Sequence, residues 1–354
     1  MGIRMLNRFL REKASNCIQL LPMAMYTNKR IVVDASIYMY RYIGDNSLIE
    51  NYYLMCLLFR HYNISALFVF DGQPPKEKSN ELKERASLKK KAKKELSALE
   101  TQLNNSGENE KKELLSMKKN LMKQCIHVKA WHLSDVKNLI DATGHQWLTA
   151  PGEADHLCAK LVREGYADAC MSEDMDMFVH GCPRVLRYMS LNKENFVEYN
   201  LPKILKTLKI SFQEFQELCI LAGTDYNKWM ELNNLPESEE SEESKKKNIF
   251  QFYQDILSYQ RDRNRCSPIQ QKDINQFEPI IDFGESLSET SFFAWCLDTG
   301  LIDSEKYTQL EHIQSFFESE NYPELNQECY KPIIKKKEMD QGTIRKVLSY
   351  HHFY

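Results

Sequence analysis

Ile31-Val32-Val33-Asp34-Ala35-Ser36 reads as a short apolar strand that ends in an acid and turns directly into a helix. Three consecutive β-branched residues suit a strand buried on both faces, and Asp in this place is a common helix N-cap. The pattern recurs along the chain. Leu67-Phe68-Val69-Phe70 is followed by Asp71, and Ala169-Cys170-Met171 by Asp174 and Asp176. Gln146 to Leu148 predicts a further strand, after which Glu153 and Asp155 open a helix with Pro151 in its first turn. Strands alternating with helices predict an α/β fold, a parallel sheet flanked by helices on both faces. Ligands of such sheets bind beyond the carboxyl ends of the strands, which is where these acids stand.

The rest of the chain extends that frame. Helices are predicted over Arg4 to Leu10, from about Ser36, over Leu48 to Tyr62 and over Leu133 to Ala142, with a last strand at Val185 to Tyr188. Residues 76–129 break the pattern: they read as two Lys/Glu/Leu-rich helices joined at Asn104-Asn105-Ser106-Gly107, with too few apolar positions for a deep core. Between Pro74 and Lys129 there are fifteen Lys/Arg against eight Glu and no Asp, an imbalance hidden by the net charge of -3 for all 354 residues. From Leu201 the chain turns helical. Residues 235–247, rich in Ser, Glu and Lys, read as a loosely ordered insertion.

Composition excludes several classes. No stretch is apolar for long enough to span a membrane. The first residues lack the apolar core of a signal peptide, and Leu6 stands where a myristoylation signal has Ser or Thr. Ten cysteines lie between Cys17 and Cys329 without a Cys-x-x-Cys pair. That pattern predicts reduced thiols in an intracellular protein rather than a disulfide frame or a zinc site.

Seven acids remain to be explained: Asp34, Asp71, Glu153, Asp155, Asp174, Asp176 and, in Leu221-Ala222-Gly223-Thr224-Asp225-Tyr226, Asp225. Singly, each has a structural explanation as a cap, a turn residue or a partner of a helix dipole. Glu173 points the other way in an extended segment and is left out. Gathered at one sheet edge, carboxylates repel one another, and bound divalent cations offset that repulsion. The pattern therefore predicts a metal site for phosphate chemistry.

These motifs, in this order and at this spacing from Met1-Gly2-Ile3 through Tyr226, resemble the flap endonuclease and xeroderma pigmentosum group G family of structure-specific 5′ nucleases. The resemblance implies a PIN-like parallel β-sheet flanked by helices, an inserted helical arch and a C-terminal helical region. It places an α/β nuclease domain at residues 1–205 with the arch at 74–130, and a helical DNA-binding region at 206–354. It implies that the seven acids ligate two Mg²⁺ ions, with Mn²⁺ a substitute. Asp34, Asp71, Glu153 and Asp155 go to the first ion; Asp174, Asp176 and Asp225 lean toward the second. Lys78 and Arg85, seven residues apart after Asp71-Gly72, would grip the scissile phosphate, Tyr40 would stack a terminal base, and Gly2 would pack beside the site. The implied partner is branched or flapped DNA, cut in replication, recombination or repair. The implied location is the nucleus, a host nucleus for a viral member, with the cytoplasm as the alternative. A ribonuclease, a 5′→3′ exonuclease and a catalytically silent relative are the competing expectations.

The chain also departs from the family. Where the family has a Gly-x-Gly loop that grips duplex phosphate, this chain has Asn227-Lys228-Trp229-Met230-Glu231-Leu232-Asn233-Asn234 and then an acidic stretch. Close backbone approach to phosphate favours glycine, so an altered duplex grip is expected. Asp155 stands where the family more often has Glu. Phe353-Tyr354 lacks the upstream Gln and aliphatic residue of a clamp-binding tail, so a monomer without sliding-clamp binding through its tail is expected. The abundance of Lys, Asn, Ile and Tyr points to a divergent member from a large DNA virus or an AT-rich eukaryote.

Overall fold

A computed structural model describes residues 2–74, 78–105, 108–226, 247–266, 291–317 and 337–351. The sequence readings on 227–246, on Ser106-Gly107 and on Phe353-Tyr354 lie outside the described residues. The first half of the chain runs α1 (Leu6–Lys13), β1 (Ile18–Pro22), β2 (Arg30–Asp34), α2 (Ala35–Gly44), α3 (Leu48–His61), β3 (Ser65–Phe70), α4 (Ser79–Asn105), α5 (Glu108–Gln124), α6 (Ala130–Ala142) and β4 (Gln146–Thr149). Then come α7 (Ala154–Arg163), β5 (Ala169–Met171), α8 (Asp176–Val179), β6 (Arg184–Ser190), β7 (Asn195–Asn200), α9 (Leu201–Leu208) and α10 (Phe212–Ala222). The described helices end with α11 (Ile249–Cys266), α12 (Phe292–Asp298), α13 (Ser304–Ser315) and α14 (Gln341–Tyr350).

The chain folds as two compact units. One comprises Tyr26–Ala154, Leu191–Glu194 and Lys331–Tyr354. Its strands β2, β3 and β4 are parallel, in that spatial order. Ile31, Val32, Val33 and Ala66 through Phe70 are buried, as the unbroken apolar runs required. Asp34 pairs with Val69 and Phe70 with Thr149, so Asp34, Asp71 and the segment after β4 share the carboxyl edge. Beneath β3, the rings of Phe59, Phe68 and His145 pack together, and His145 Nε2 bonds the Cys56 carbonyl. The C-terminal helix α14 packs on α6 of this unit. Asp340 N–H donates to Ala142 O, Arg60 to Lys337 O, and His351 pairs with Asp135 while stacking on Trp131. The α4/α5 hairpin is sparsely buried: on α4 only Ala92 and Leu99 among the described apolar side chains are buried, and Lys118 reaches Glu100 across the pair.

The other unit comprises Met1–Met25, Asp155–Ser190 and Asn195–Tyr330. Its strands lie in the order β1-β7-β6-β5. β5 and β6 are parallel, whereas β6 with β7 and β7 with β1 are antiparallel. Among the helices, α10 opens with a reciprocal capping box between Ser211 and Glu214. The aromatic rings of Phe9, Phe250 and Tyr253 join α1 to α11. The eight cysteines whose side chains are described are free thiols. No described helix is long and apolar enough to cross a membrane.

The parallel strands flanked by helices are as expected, and β1 and β7 add antiparallel strands that the sequence reading lacked. Two expectations are corrected. Pro151 lies before α7, not within its first turn, and the residue before α7 is Glu153. Residues 172–176 are not an extended run: Met175 is in the helical region and Asp176 begins α8.

Gly72 fixes the chain at the carboxyl edge. Its N–H donates to Gly152 O at 2.7 Å, and a Cβ there would sit 2.0 Å from Ala150 O and 3.0 Å from Pro151 C, both backbone atoms. Gly72→Ala is therefore expected to lower unfolding free energy by about 1–3 kcal/mol, the usual cost of overpacking. Urea denaturation measures it, and an unchanged midpoint contradicts the tight seat.

Candidate active site

In the first unit, strand ends and helix starts hold the acids through backbone groups. Asp34, only 4% exposed, closes β2 and caps α2 by accepting from Ile37 N at 3.4 Å. Asp71 N–H donates to Ser36 Oγ at 3.0 Å, and Asp71 Oδ1 accepts from Ala154 N at 2.9 Å. Asp71 is exposed, and its bond to the first residue of α7 ties the end of β3 to the start of that helix. Glu153 Oε1 takes the ammonium of Lys78 at 2.7 Å. Below Asp34, buried Tyr52 donates to Ala35 O; burial, with Tyr42 and Asp34 adding to it, holds the phenol well above its usual titration range and so neutral.

Lys78 and Arg85 occupy different surroundings. Lys78 is buried just before α4 begins, whereas Arg85 is exposed on the helix. Tyr40 is 41% exposed on α2, and Lys89 Nζ lies 5.8 Å from its ring centre, at cation–π range.

In the second unit, Asp174 and Asp176 follow β5. Asp174 N–H donates to Ser172 Oγ and Asp176 N–H to Asp174 Oδ1, both at 3.1 Å. Asp176 is 2% exposed. Gly2 lies against both acids. Its φ is +86°, and a Cβ on it would meet Asp174 Oδ1 at 2.4 Å and Asp176 Oδ1 at 2.7 Å. Two carboxylate oxygens thus converge on one point, and only the residue without a side chain fits beside them. Asp225 is buried three residues beyond α10, after Gly223 at φ +105° and beside Tyr226, which stacks on Phe316. Asp155 stands in the first turn of α7, next to the buried His156, whose imidazole burial pushes down to about 3.

Among the described residues no three His, Cys, Asp or Glu side chains stand close enough to enclose one ion. Mg²⁺ needs no such cage: it usually keeps several waters and takes one or two carboxylates. The donor set is all carboxylate, the hard oxygen type that Mg²⁺ and Mn²⁺ prefer. The converging Asp174 and Asp176 oxygens fit such a cation.

The sequence reading missed the residues behind the acids. Ser36 and Ser172 each accept an N–H from an acid. Glu173, set aside as pointing away, accepts Tyr188 N–H with Oε1, and its carbonyl takes Arg187. A charged residue between Leu186 and the aromatic Tyr188 on a buried strand was the available signal.

Two family models match: the XPG N-terminal domain over residues 1–92 and the XPG I-region over residues 144–225. Flap endonuclease 1 of Encephalitozoon cuniculi is 30% identical over 243 residues, 64% of this chain and 68% of that protein. Flap endonuclease 1 of Tetrahymena thermophila is 31% identical over 246 residues, 64% of this chain and 61% of that one. A solved structure, the catalytic core of Rad2 in complex with DNA substrate, aligns with a TM-score of 0.61 at 18% identity, covering 100% of this chain and 96% of that one. That likeness gives the fold, an α/β core flanked by helices. The chain belongs to the flap endonuclease/XPG family of structure-specific 5′ nucleases.

The seat of Gly2 yields a test. Because Asp174 and Asp176 converge, neutralising one should relieve repulsion in the metal-free protein. Asp176→Asn is expected to raise metal-free stability by about 1 kcal/mol, about 2–4 °C in melting temperature for a domain of this size. Adding Mg²⁺ should stabilise the original protein much more than the variant. A destabilised variant that still gains fully from Mg²⁺ contradicts the charge argument.

Proposed function

We propose that this chain is a divalent-metal-dependent nuclease that hydrolyses phosphodiester bonds in branched DNA, 5′ flaps or related structures, in replication, recombination or repair. The observation that carries this reading is the pair of carboxylate oxygens converging on Gly2, in a chain where Asp34, Asp71, Glu153 and Asp155 stand at strand ends and a helix start. Asp34, Asp71, Glu153 and Asp155 would hold one Mg²⁺, and Asp174, Asp176 and Asp225 a second, several of them through water. When bound, such a pair of ions supplies a more acidic attacking water and neutralises charge on the leaving oxygen.

The chain's own residues do the rest. Backbone N–H groups already fix Asp71 and Asp34 in orientation, which limits reorganisation during reaction. Arg85 and Lys78 would bind the phosphate as its charge grows, Lys78 by exchanging its bond to Glu153. Tyr40 offers an exposed ring to a terminal base, a contact worth about 1–3 kcal/mol per stacked base. The cationic α4/α5 hairpin attracts the strand by its charge. Residues 206–354 supply the duplex contact. The chain acts as a monomer in the nucleus.

A panel of labelled flap, nick, four-way-junction and RNA substrates, with and without Mg²⁺, tests the reading. Asp174→Asn and Asp71→Asn are expected to cut at least about 100-fold more slowly, the order lost with one preorganised electrostatic group, while flap binding in Ca²⁺ persists. Normal turnover by either variant refutes the metal assignment, and preferred cleavage of RNA makes the chain a ribonuclease on this scaffold. Lys78→Ala and Arg85→Ala should lower kcat far more than they weaken DNA binding, as for groups acting on the transition state. Equal losses reduce both to general attraction.

A further inference from the structure

We propose that Arg187 is the positioning residue of the acid loop: it sets the direction of Asp174 and Asp176 and references that loop to the N-terminal segment. This rests on the metal reading above. Arg187 lies on β6 and is 6% exposed. Its Nη2 donates to Glu173 O at 2.8 Å, and its Nη1 contacts Met175 Sδ. One guanidinium therefore pins the residues on both sides of Asp174. Two more bonds to β6 complete the bed: Ser172 N–H to Leu186 O at 3.2 Å, and Tyr188 N–H to Glu173 Oε1 at 2.8 Å. Residues 172, 173 and 175 are thus held to β6, while Asp174 and Asp176 meet Gly2 instead.

The backbone of β6 is bent for this purpose. Its pairing with β7 shifts register between Arg187 and Ser190, and Tyr188 sits at φ +56°. A non-glycine residue in the left-handed region costs about 1–3 kcal/mol and persists where surrounding contacts demand it. A bulge of this kind re-aims side chains; here the neighbouring Arg187 and the Tyr188 N–H both meet the acid loop. The guanidinium is also faced by two rings, with Cζ 4.8 Å from the Tyr188 centroid and 5.5 Å from that of Tyr199. Burial raises the Tyr199 phenol, so it remains a neutral donor, and its hydroxyl donates to Asn7 Oδ1 at 2.7 Å. Asn7 Oδ1 also takes Arg187 Nη1 at 3.4 Å, and Asn7 Nδ2 reaches Tyr188 OH at 2.9 Å. Asn7 belongs to α1, which starts four residues after Gly2. The glycine seat and the acids that face it are therefore both located from Arg187. Lysine keeps the charge but lacks the planar fork that reaches three acceptors at once.

The test compares the original protein with Arg187→Lys, the variant least apt to misfold, and with Asn7→Ala, which breaks only the link to α1. Mn²⁺ binding without DNA is read by electron paramagnetic resonance, and amide hydrogen exchange at residues 172–176 is read without metal. Arg187→Lys is expected to weaken Mn²⁺ binding by about 10- to 100-fold, the range for a residue that orients metal ligands. Half-saturating Mg²⁺ for cleavage should rise by a similar factor, with kcat at saturating Mg²⁺ nearly kept. Exchange at 172–176 should quicken while α10 is unchanged, and Asn7→Ala should show a smaller effect of the same sign. A lower melting temperature with unaltered Mn²⁺ affinity and unaltered loop exchange makes Arg187 a packing residue and overturns the proposal. If Asp174→Asn binds Mn²⁺ as well as the original protein does, the metal reading is what fails; the exchange data still decide whether Arg187 orders the loop.

Discussion

Like charge held close together is the constraint on which this structure turns. Two carboxylates at about 4 Å repel by about 4 kcal/mol at the effective dielectric near a protein surface, whereas a helix cap returns only about 1 kcal/mol. The fold meets this cost piece by piece. Asp34 and Asp71 accept backbone N–H groups, Glu153 takes an ammonium, and Asp174 accepts the N–H of Asp176. Each of these four acids has a local reason to be tolerated, and none of these reasons requires so many acids in one chain. A polypeptide selected for stability alone would not keep Asp176 at 2% exposure beside Asp174. Sites that trade stability for function are where such arrangements persist.

Backbone groups, not long side chains, do most of the holding. Asp71 to Ala154 N, Ser36 to Asp71 N and Gly72 N to Gly152 O are all short-range ties at the carboxyl edge of β3 and β4. A site referenced to strand ends and helix starts inherits their rigidity, because rearranging it breaks ladder bonds or helix turns. The α4/α5 hairpin has the opposite character. Little of it is buried, and its surface is charge, which suits a long-range attraction to a polyanion better than precise placement.

What the sequence made legible follows from the same division. β2, β3 and β5 announce themselves because strands buried on both faces need unbroken runs such as Ile31-Val32-Val33 and Ala169-Cys170-Met171. β1 does not: Ile18-Gln19-Leu20-Leu21-Pro22 is an edge strand with most of its side chains outside, and it carries a proline that only an edge admits. β7 does not alternate: its buried Phe196 and Tyr199 are three residues apart, so the period of two that marks a half-buried strand is missing. Pro151 misled because proline favours the first turn of a helix, while here Gly152 and Glu153 intervene to bring Glu153 to Lys78. The acids were legible because their chemistry is local to each motif. Arg187 and Glu173 were not, because their meaning depends on a bulge and on a partner more than ten residues away.

The two left-handed residues that flank the Asp174/Asp176 loop show how placement is obtained. Gly2 at φ +86° brings bare backbone against the acids from one side, and Tyr188 at φ +56° bends β6 behind them on the other. Glycine bears its conformation at no steric cost, whereas tyrosine does not. The asymmetry is informative. In front, space is the limiting quantity, and a Cβ would collide with carboxylate oxygens. Behind, the Tyr188 ring is wanted, since it faces the Arg187 guanidinium and its hydroxyl accepts from Asn7. A glycine at 188 would relieve the backbone and lose both contacts. The strain at Tyr188 is therefore a consequence of needing an aromatic ring and a re-aimed N–H at one residue, and the acid loop is what both of them serve.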